Sequence, residues 1–355
     1  MSTPTMLLAS AEPLATAYDV ALMDLDGVCY RGAEPVDHAD AAVEEARRLG
    51  LRMMFVTNNA AREPQTVADQ LTSLGIPTSP DEVMTSSQAA AAILAAELPT
   101  GSVVLPIGGA GLRAALTEAG FTLATGAQDA PVAVVQGFSP DLGWGELTEA
   151  AYAINAGARY VATNLDATLP TERGMAVGNG SLVAAVTNAT GVLPISAGKP
   201  EPEIFRQATR RSAGSRPIAV GDRLNTDIAG ARAAGIPSVH VLTGVSDARD
   251  VVLAAPHERP SYLAVDLRGL VEPHPVPSRD GAWWRCGAAA ARVSGAEPHL
   301  EIRLGDREVP LEPGEPVTVS LDTWRCLAAA AWEAADDGAP LTVSQVPALQ
   351  VVASR

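Results

Sequence analysis

Cysteine is scarce in this sequence, with three in 355 residues: Cys29, Cys286 and Cys326. They are widely spaced, odd in number and never arranged as Cys-x-x-Cys, which argues against a disulfide framework or a zinc site. Positive charge is also short, since 25 Lys and Arg stand against 41 Asp and Glu, a formal net charge of -16. Such a chain repels phosphate backbones and anionic lipid surfaces, so neither nucleic acid nor a membrane is expected as a partner. Any anionic substrate then needs a local cation to hold it. No apolar run approaches the length of a membrane span. Met1 to Thr16 lacks a basic n-region and a sustained apolar h-region, and it does not read as a signal peptide. No internal repeat is present. Together these absences fit a reducing, cytoplasmic setting.

What is present is an ordinary folded composition, 47% hydrophobic and 19% charged, over a length that scales to two or three folding units. From Tyr18 onward, short β-rich runs alternate with Ala-rich helical stretches, the pattern of a doubly wound α/β parallel sheet. Near-continuous apolar runs such as Val20-Ala21-Leu22-Met23 and Pro217-Ile218-Ala219-Val220 suit parallel strands covered on both faces. A second α/β stretch, 98–194, reads as an insertion that divides the first into 18–97 and 195–270. A helix is predicted from Asn225 to Ala234. The Pro-rich segment 271–278 reads as a linker. Residues 279–355, with Trp283, Trp284, a strand expected at His299 to Leu304 and an amphipathic helix around Thr323 to Ala335, read as a small α+β C-terminal domain.

Four polar elements punctuate the α/β stretches. The first is Asp24-Leu25-Asp26-Gly27-Val28, directly after Val20 to Met23. An Asp at a strand's carboxyl end projects into the crevice where open α/β sheets bind ligands, and Gly27 allows a sharp turn there. One carboxylate of an i, i+2 pair can attack phosphorus while the other exchanges protons with the leaving oxygen and then with water. A capped turn accounts for the pair equally well. An EF-hand loop does not, because it needs further oxygen ligands where Val28, Tyr30 and Arg31 stand. The second element, Thr57-Asn58-Asn59, ends the run Met53 to Val56. It offers hydroxyl, amide and backbone donors to phosphoryl oxygens, or it is a polar turn.

The third element is Lys199 in Ser196-Ala197-Gly198-Lys199-Pro200, just before a helix start. There it can neutralise a phosphate and a carboxylate, with a solvated lysine as the alternative. The fourth, Gly221-Asp222-Arg223-Leu224-Asn225-Thr226-Asp227, follows Ile218-Ala219-Val220. Asp222, with Asp24 and the Asp26 carbonyl, would make an oxygen cage suited to magnesium. Asp227 either orients a metal-bound water or caps the helix. Cys29, just beyond the first turn, is either a reactive thiol or, the simpler reading, a small buried filler.

In this order, DxDGV, TNN, GKP and GDxxxTD resemble the motifs of the haloacid dehalogenase superfamily of phosphotransferases. The similarity is to the branch with a large α/β cap inserted between the second and third motifs, and it covers about residues 18–270. It implies a magnesium-dependent phosphatase acting on a small phosphorylated metabolite. By motif position it implies Asp24 as the nucleophile that becomes an aspartyl-phosphate, and Asp26 as general acid/base. Thr57, Asn58 and Lys199 would bind the substrate phosphate. Asp24, Asp26 and Asp222 would hold Mg2+, with Asp227 in support. The resemblance also implies a cap loop carrying Asp166, Leu169 and Gly180 that closes over the leaving group, and a homodimer formed through the cap.

Vitamin B6 phosphate phosphatases of this branch carry histidine where Leu169 stands, whereas phosphatases of glycerol phosphate and phosphoglycolate resemble this sequence in having leucine. The expected substrate is glycerol 3-phosphate, with 2-phosphoglycolate or another sugar, nucleotide or pyridoxal phosphate as alternatives. The C-terminal attachment resembles the arrangement in actinobacterial glycerol-3-phosphate phosphatases, whose tail is similar to part of an acetyltransferase fold. Residues 279–355 lack the Arg/Gln-x-x-Gly-x-Gly/Ala loop that binds acetyl-CoA, so a structural or regulatory module is expected. A rival of another class is a dinucleotide-binding oxidoreductase, because Gly109-Ala110-Gly111-Leu112-Arg113-Ala114 mimics that fingerprint. Two features oppose it. Pro106 is expected to interrupt the preceding strand, and no acidic residue ends a following strand about 20 residues on.

Overall fold

The computed structural model describes residues 7–171, 173–295 and 297–353. The chain divides into two compact units, Met1–Met53 with Gly214–Arg355, and Met54–Ala213.

The first unit is built on four parallel strands, in sheet order Tyr262–Ala264, Ser238–Val241, Pro217–Gly221 and Val20–Met23. Every residue of Val20–Met23, Ser238–Val241 and Tyr262–Ala264 is buried, as apolar strands covered on both faces require. Met23 pairs with Val220, so Asp24 and Asp222 leave the carboxyl edge of neighbouring strands almost level. The helix predicted from Asn225 begins differently: Leu224–Ile228 is one π-helical turn, and the α-helix is Ala229–Ala234. The wider turn, closed by Ile228 N–H to Arg223 O at 3.2 Å, lets Asp227 fold back onto Gly221. A Cβ on Gly221 would lie 2.2 Å from the Cβ of Asp227.

The C-terminal residues belong to the same unit. Ser278–Asp280, Trp283–Cys286, Ala289–Ser294, His299–Leu304 and Arg307–Pro310 form an antiparallel meander. Helix Leu321–Asp336 lies against it and is started by Ser320, whose side chain accepts from Thr323 N–H. The same helix packs on helix Ala248–Val252, so that Trp324, Leu327 and Ala331 share one core with Ile228, Val251 and Leu300. Trp324 and Trp332 are buried, and their indole N–H groups donate to Ala248 O and Val251 O, both at 2.9 Å. Rings of this kind bury about 200 Å², worth about 5 kcal/mol each at ~25 cal/mol per Å². The Pro-rich stretch before the meander is held as well, through the bridge of His274 with Ser10 and the His274 ring against Gly269 O at 2.7 Å.

In the second unit, the later residues of strand Arg52–Thr57 pair in parallel with Val83–Thr85. A second parallel sheet runs Ile195–Ser196, Arg159–Ala162, Ala133–Gln136, Val103–Ile107, Thr122–Leu123, and Thr168–Thr171 forms a hairpin with Gly174–Val177. Pro106 does not interrupt its strand. Thr122–Leu123 pairs only with Val103 and Val104, so on that side Pro106 has no ladder to break, while on the other it stays in register with Val135. The glycine-rich start of helix Ala110–Glu118 is explained by packing. A Cβ on Gly111 would lie 2.6 Å from Arg62 O, and Gly111 N–H donates to Ala61 O at 3.1 Å. The chain itself takes a donor that a dinucleotide pyrophosphate would need.

Candidate active site

In the first unit, Asp24, Asp222 and Asp227 bring carboxylate oxygens within 4.8 Å of one another. The fold dictates this. Asp24 and Asp222 follow adjacent strands, whose spacing is about 4.8 Å, and Asp24 N–H donates to Val220 O at 2.9 Å. Asp227 returns on the π turn, where its Oδ2 accepts from Arg223 N–H at 3.2 Å. Asp222 is fully buried. Its Oδ2 accepts from Val245 N–H at 2.6 Å, and its carbonyl accepts from Ser246 N–H and from the His240 ring, both at 3.1 Å. Burial pushes the His240 pKa down to about 4, so near neutrality the ring is uncharged and its Nε2–H is the donor. Gly27, at φ +83, lets the loop turn over Asp222, and Thr243 Oγ1 donates to Gly27 O at 2.6 Å.

Asp26 lies in the same turn. Its side chain reaches solvent, yet packing of the surrounding loop raises its pKa, with Gly32 N–H and Arg223 pulling the other way. An upward shift is the direction a general acid requires. Cys29 donates weakly from Sγ to Asp24 O at 3.6 Å and is buried, as are Cys286 and Cys326. Burial pushes the Cys286 and Cys326 thiols up to about 12, and it raises Cys29 as well, with the Asp24 charge adding to the rise. Because only the thiolate is nucleophilic, the folded protein is expected to resist iodoacetamide at mildly alkaline pH and to take up three labels once denatured. Mass spectrometry checks this. Labelling of Cys29 in the native state would make it a reactive thiol after all.

In the second unit, Asn58, Lys199 and Asp166 form one hydrogen-bonded group, with Thr57 adjoining it in the chain. Asn58 Nδ2 donates to Asp166 Oδ2 and to Lys199 O, each at 3.0 Å, and its Oδ1 accepts from Lys199 N–H at 2.8 Å. The Asn58 carbonyl accepts from Ser86 Oγ at 2.7 Å and Asn164 Nδ2 at 2.8 Å. The Asn58 side chain is thus engaged with protein partners. Gly198 makes the close approach possible, since a Cβ there would lie 2.5 Å from Asn58 Oδ1. Thr57 Oγ1 accepts from Asn59 N–H at 3.1 Å. Lys199, only 4% exposed, donates from Nζ to Val56 O at 3.1 Å. It is the one lysine in the chain. Gly180 N–H donates to Asp166 O at 2.8 Å, which ties Gly180 to the group. Leu169 stands apart, half-buried on the hairpin opposite Ala176.

Sequence reasoning missed Gly244, Val245, Ser246 and His240 around Asp222, and Ser86 beside Asn58. A glycine shortly after strand Ser238–Val241 is the available signal for the first group. Asn164 and Asn179 fall in the cap stretch, where Asn179 Nδ2 donates to Asn164 O at 2.8 Å.

The haloacid dehalogenase-like hydrolase model matches residues 21–122, and a HAD-hydrolase-like model matches residues 196–270. The chain is 46% identical over 257 residues to the D-glycerol 3-phosphate phosphatase of Mycobacterium tuberculosis, covering 72% of each. The chain is a haloacid dehalogenase-like hydrolase. It is 35% identical to the acid sugar phosphatase of Staphylococcus saprophyticus, over 72% of this chain and 97% of that one. The crystal structure of the M. tuberculosis glycerol phosphate phosphatase in complex with magnesium superposes with a TM-score of 0.81 at 38% identity, covering 95% of both chains. This hydrolase is a phosphatase of the parallel-sheet α/β type, and the magnesium is that of the M. tuberculosis structure. Its own residues fit that ion: the cluster offers carboxylate oxygens alone, without sulfur or imidazole, the donor set of a hard cation. Among the described residues no helix is long and apolar enough to cross a membrane.

Proposed function

We propose that this phosphatase hydrolyses glycerol 3-phosphate. The observation that carries the reading is coverage. The likeness to the glycerol phosphate phosphatase spans 95% of both chains, C-terminal residues included, whereas the acid sugar phosphatase is used up, at 97% of its length, by 72% of this one. Leu169 on the cap hairpin agrees with the choice. The organisation we propose is a phosphatase core of 18–97 and 195–270, a cap of 98–194, a connecting segment of 271–278 and a C-terminal module of 279–355. The setting is cytoplasmic, and the cap carries a homodimer contact.

Asp24 attacks phosphorus in line with the glycerol oxygen, and the bond to that oxygen breaks as Asp26 gives it a proton. Asp26 then takes a proton from water as the water oxygen attacks the aspartyl-phosphate, freeing phosphate. Thr57 and the backbone N–H of Asn58 hold phosphoryl oxygens, while the Asn58 side chain fixes the cap-loop Asp166. Lys199 supplies a compact positive charge. Asp24, Asp222 and the Asp26 carbonyl would hold magnesium, which supplies further positive charge beside the phosphoryl group, and Asp227 steadies the Asp222 turn. Asp166, Leu169 and Gly180 shape the leaving-group pocket.

The test is phosphate release with magnesium across both glycerol 3-phosphate enantiomers, 2-phosphoglycolate, sugar phosphates, nucleotides and pyridoxal phosphate. We expect kcat/KM for one glycerol 3-phosphate enantiomer to lead by about 10-fold or more, the scale on which pocket shape discriminates. Preference for 2-phosphoglycolate would reassign the substrate, and negligible turnover of the whole panel would overturn the proposal.

A further inference from the structure

Asp222 is held by a loop that the C-terminal helix anchors. Thr243 to Asp247 runs from strand Ser238–Val241 into helix Ala248–Val252, and on the way it donates Val245 N–H to Asp222 Oδ2 at 2.6 Å and Ser246 N–H to Asp222 O at 3.1 Å. Asp247 ends the loop as the N-cap of that helix, its Oδ1 accepting from Asp250 N–H at 2.9 Å. The next residue, Ala248, gives its carbonyl to Trp324 Nε1 at 2.9 Å. Trp324 also meets His240 edge-on, with ring centroids 6.2 Å apart, and His240 in turn donates to Asp222 O. Two routes therefore connect one indole to one carboxylate-bearing residue, one through the loop backbone and one through a buried ring.

We infer that the C-terminal module braces the metal site, with Trp324 as a positioning residue that fixes Asp222 through His240 and the 243–247 loop. The inference rests on Asp222 being a magnesium ligand. Its physical basis is rigidity. A ligand carboxylate must sit within a few tenths of an ångström of one geometry to satisfy magnesium, and such placement comes from the groups that support it. The acid sugar phosphatase of S. saprophyticus is matched over 97% of its length by 72% of this chain. In this chain Leu224, Ile228, Val251 and Val252 lie in the same core as Trp324, so the module is part of the support.

A paired substitution in the full chain tests this. Trp324→Phe keeps a ring against His240 and removes the N–H that holds Ala248. Trp332→Phe makes the same chemical change at Val251 O, farther along the helix from the loop. Both should cost a similar fall in Tm. Only Trp324→Phe should weaken magnesium binding, measured by isothermal titration of the metal-free protein, by about 3- to 10-fold, the scale of one buried hydrogen bond. Its kcat at saturating magnesium should stay near that of the parent. His240→Leu, which removes the ring donor and keeps an apolar filler, is read in the same way and decides the matter if Trp324→Phe does not fold. Unchanged magnesium affinity in whichever variant folds, or equal losses in the two tryptophan variants, would overturn the brace. Asp222→Asn separates that failure from failure of the underlying reading: if it leaves magnesium binding intact, Asp222 is no ligand.

Discussion

Replacing Asp24 with Asn is expected to lower phosphate release from glycerol 3-phosphate by roughly 10⁴-fold or more, the scale on which an enzyme loses activity when its nucleophile is removed. The fold should survive. Asn is nearly isosteric with Asp, and the bond that positions residue 24, its N–H to Val220 O, belongs to the backbone. The substitution also removes one of three carboxylates whose oxygens lie within 4.8 Å of one another, relieving like-charge repulsion. In the absence of magnesium the variant should therefore have a Tm equal to or above that of the parent, while the rise in Tm on adding magnesium should shrink. Thermal unfolding with and without the ion, alongside phosphate release, reads both effects. Retention of more than a small fraction of activity in a folded variant would remove Asp24 from the nucleophile role.

The parts of this molecule that were legible in the sequence are those where local pattern and site coincide. Val20 to Met23 and Pro217 to Val220 are apolar runs each followed within two residues by an aspartate, and the sheet places their ends side by side. What could not be read depends on distant chain segments. Nothing in Gly244 or Val245 announces a grip on Asp222, because that grip is a backbone N–H whose direction only the fold decides. Asn58 shows the same limit. An amide after a strand suits a phosphate, but its side chain turns to Asp166 and Lys199, each more than a hundred residues away. Pro106 misled for a related reason: its effect on a strand depends on which neighbour pairs at that position, and Thr122–Leu123 is too short to reach it. The C-terminal meander was visible only at His299 to Leu304, where apolar and polar residues alternate. Ala289–Ser294 hides among alanines that suit a helix equally well. A chain that employs arginine throughout keeps a single lysine, Lys199, and that lysine is buried.

Gly244→Ala is expected to remove the magnesium-induced rise in Tm and to lower Tm itself, although it adds one methyl group. A Cβ at Gly244 would lie 1.9 Å from Asp222 Oδ2 and 2.3 Å from its Cγ, and a Cβ at Gly27 would lie 2.6 Å from the same oxygen. The carboxylate thus occupies a slot between two backbone segments that have no side chains. It has little freedom to move aside, because it is fully buried and its Oδ2 is held by Val245 N–H at 2.6 Å. Overpacking of this kind costs about 1–3 kcal/mol, and any relaxation must displace either the carboxylate or the loop that holds it. Gly145→Ala is the matched control. Gly145 lies inside helix Trp144–Asn155, and a Cβ there would meet nothing within 4 Å, so the same change should stabilise by about 0.5–1 kcal/mol through lower backbone entropy of the unfolded chain. Differential scanning calorimetry of both variants, with and without magnesium, checks the prediction. Opposite signs for one chemical change would tie the cost at Gly244 to the crowding of Asp222, and a Gly244→Ala variant as stable and as responsive to magnesium as the parent would show that the slot has room to give.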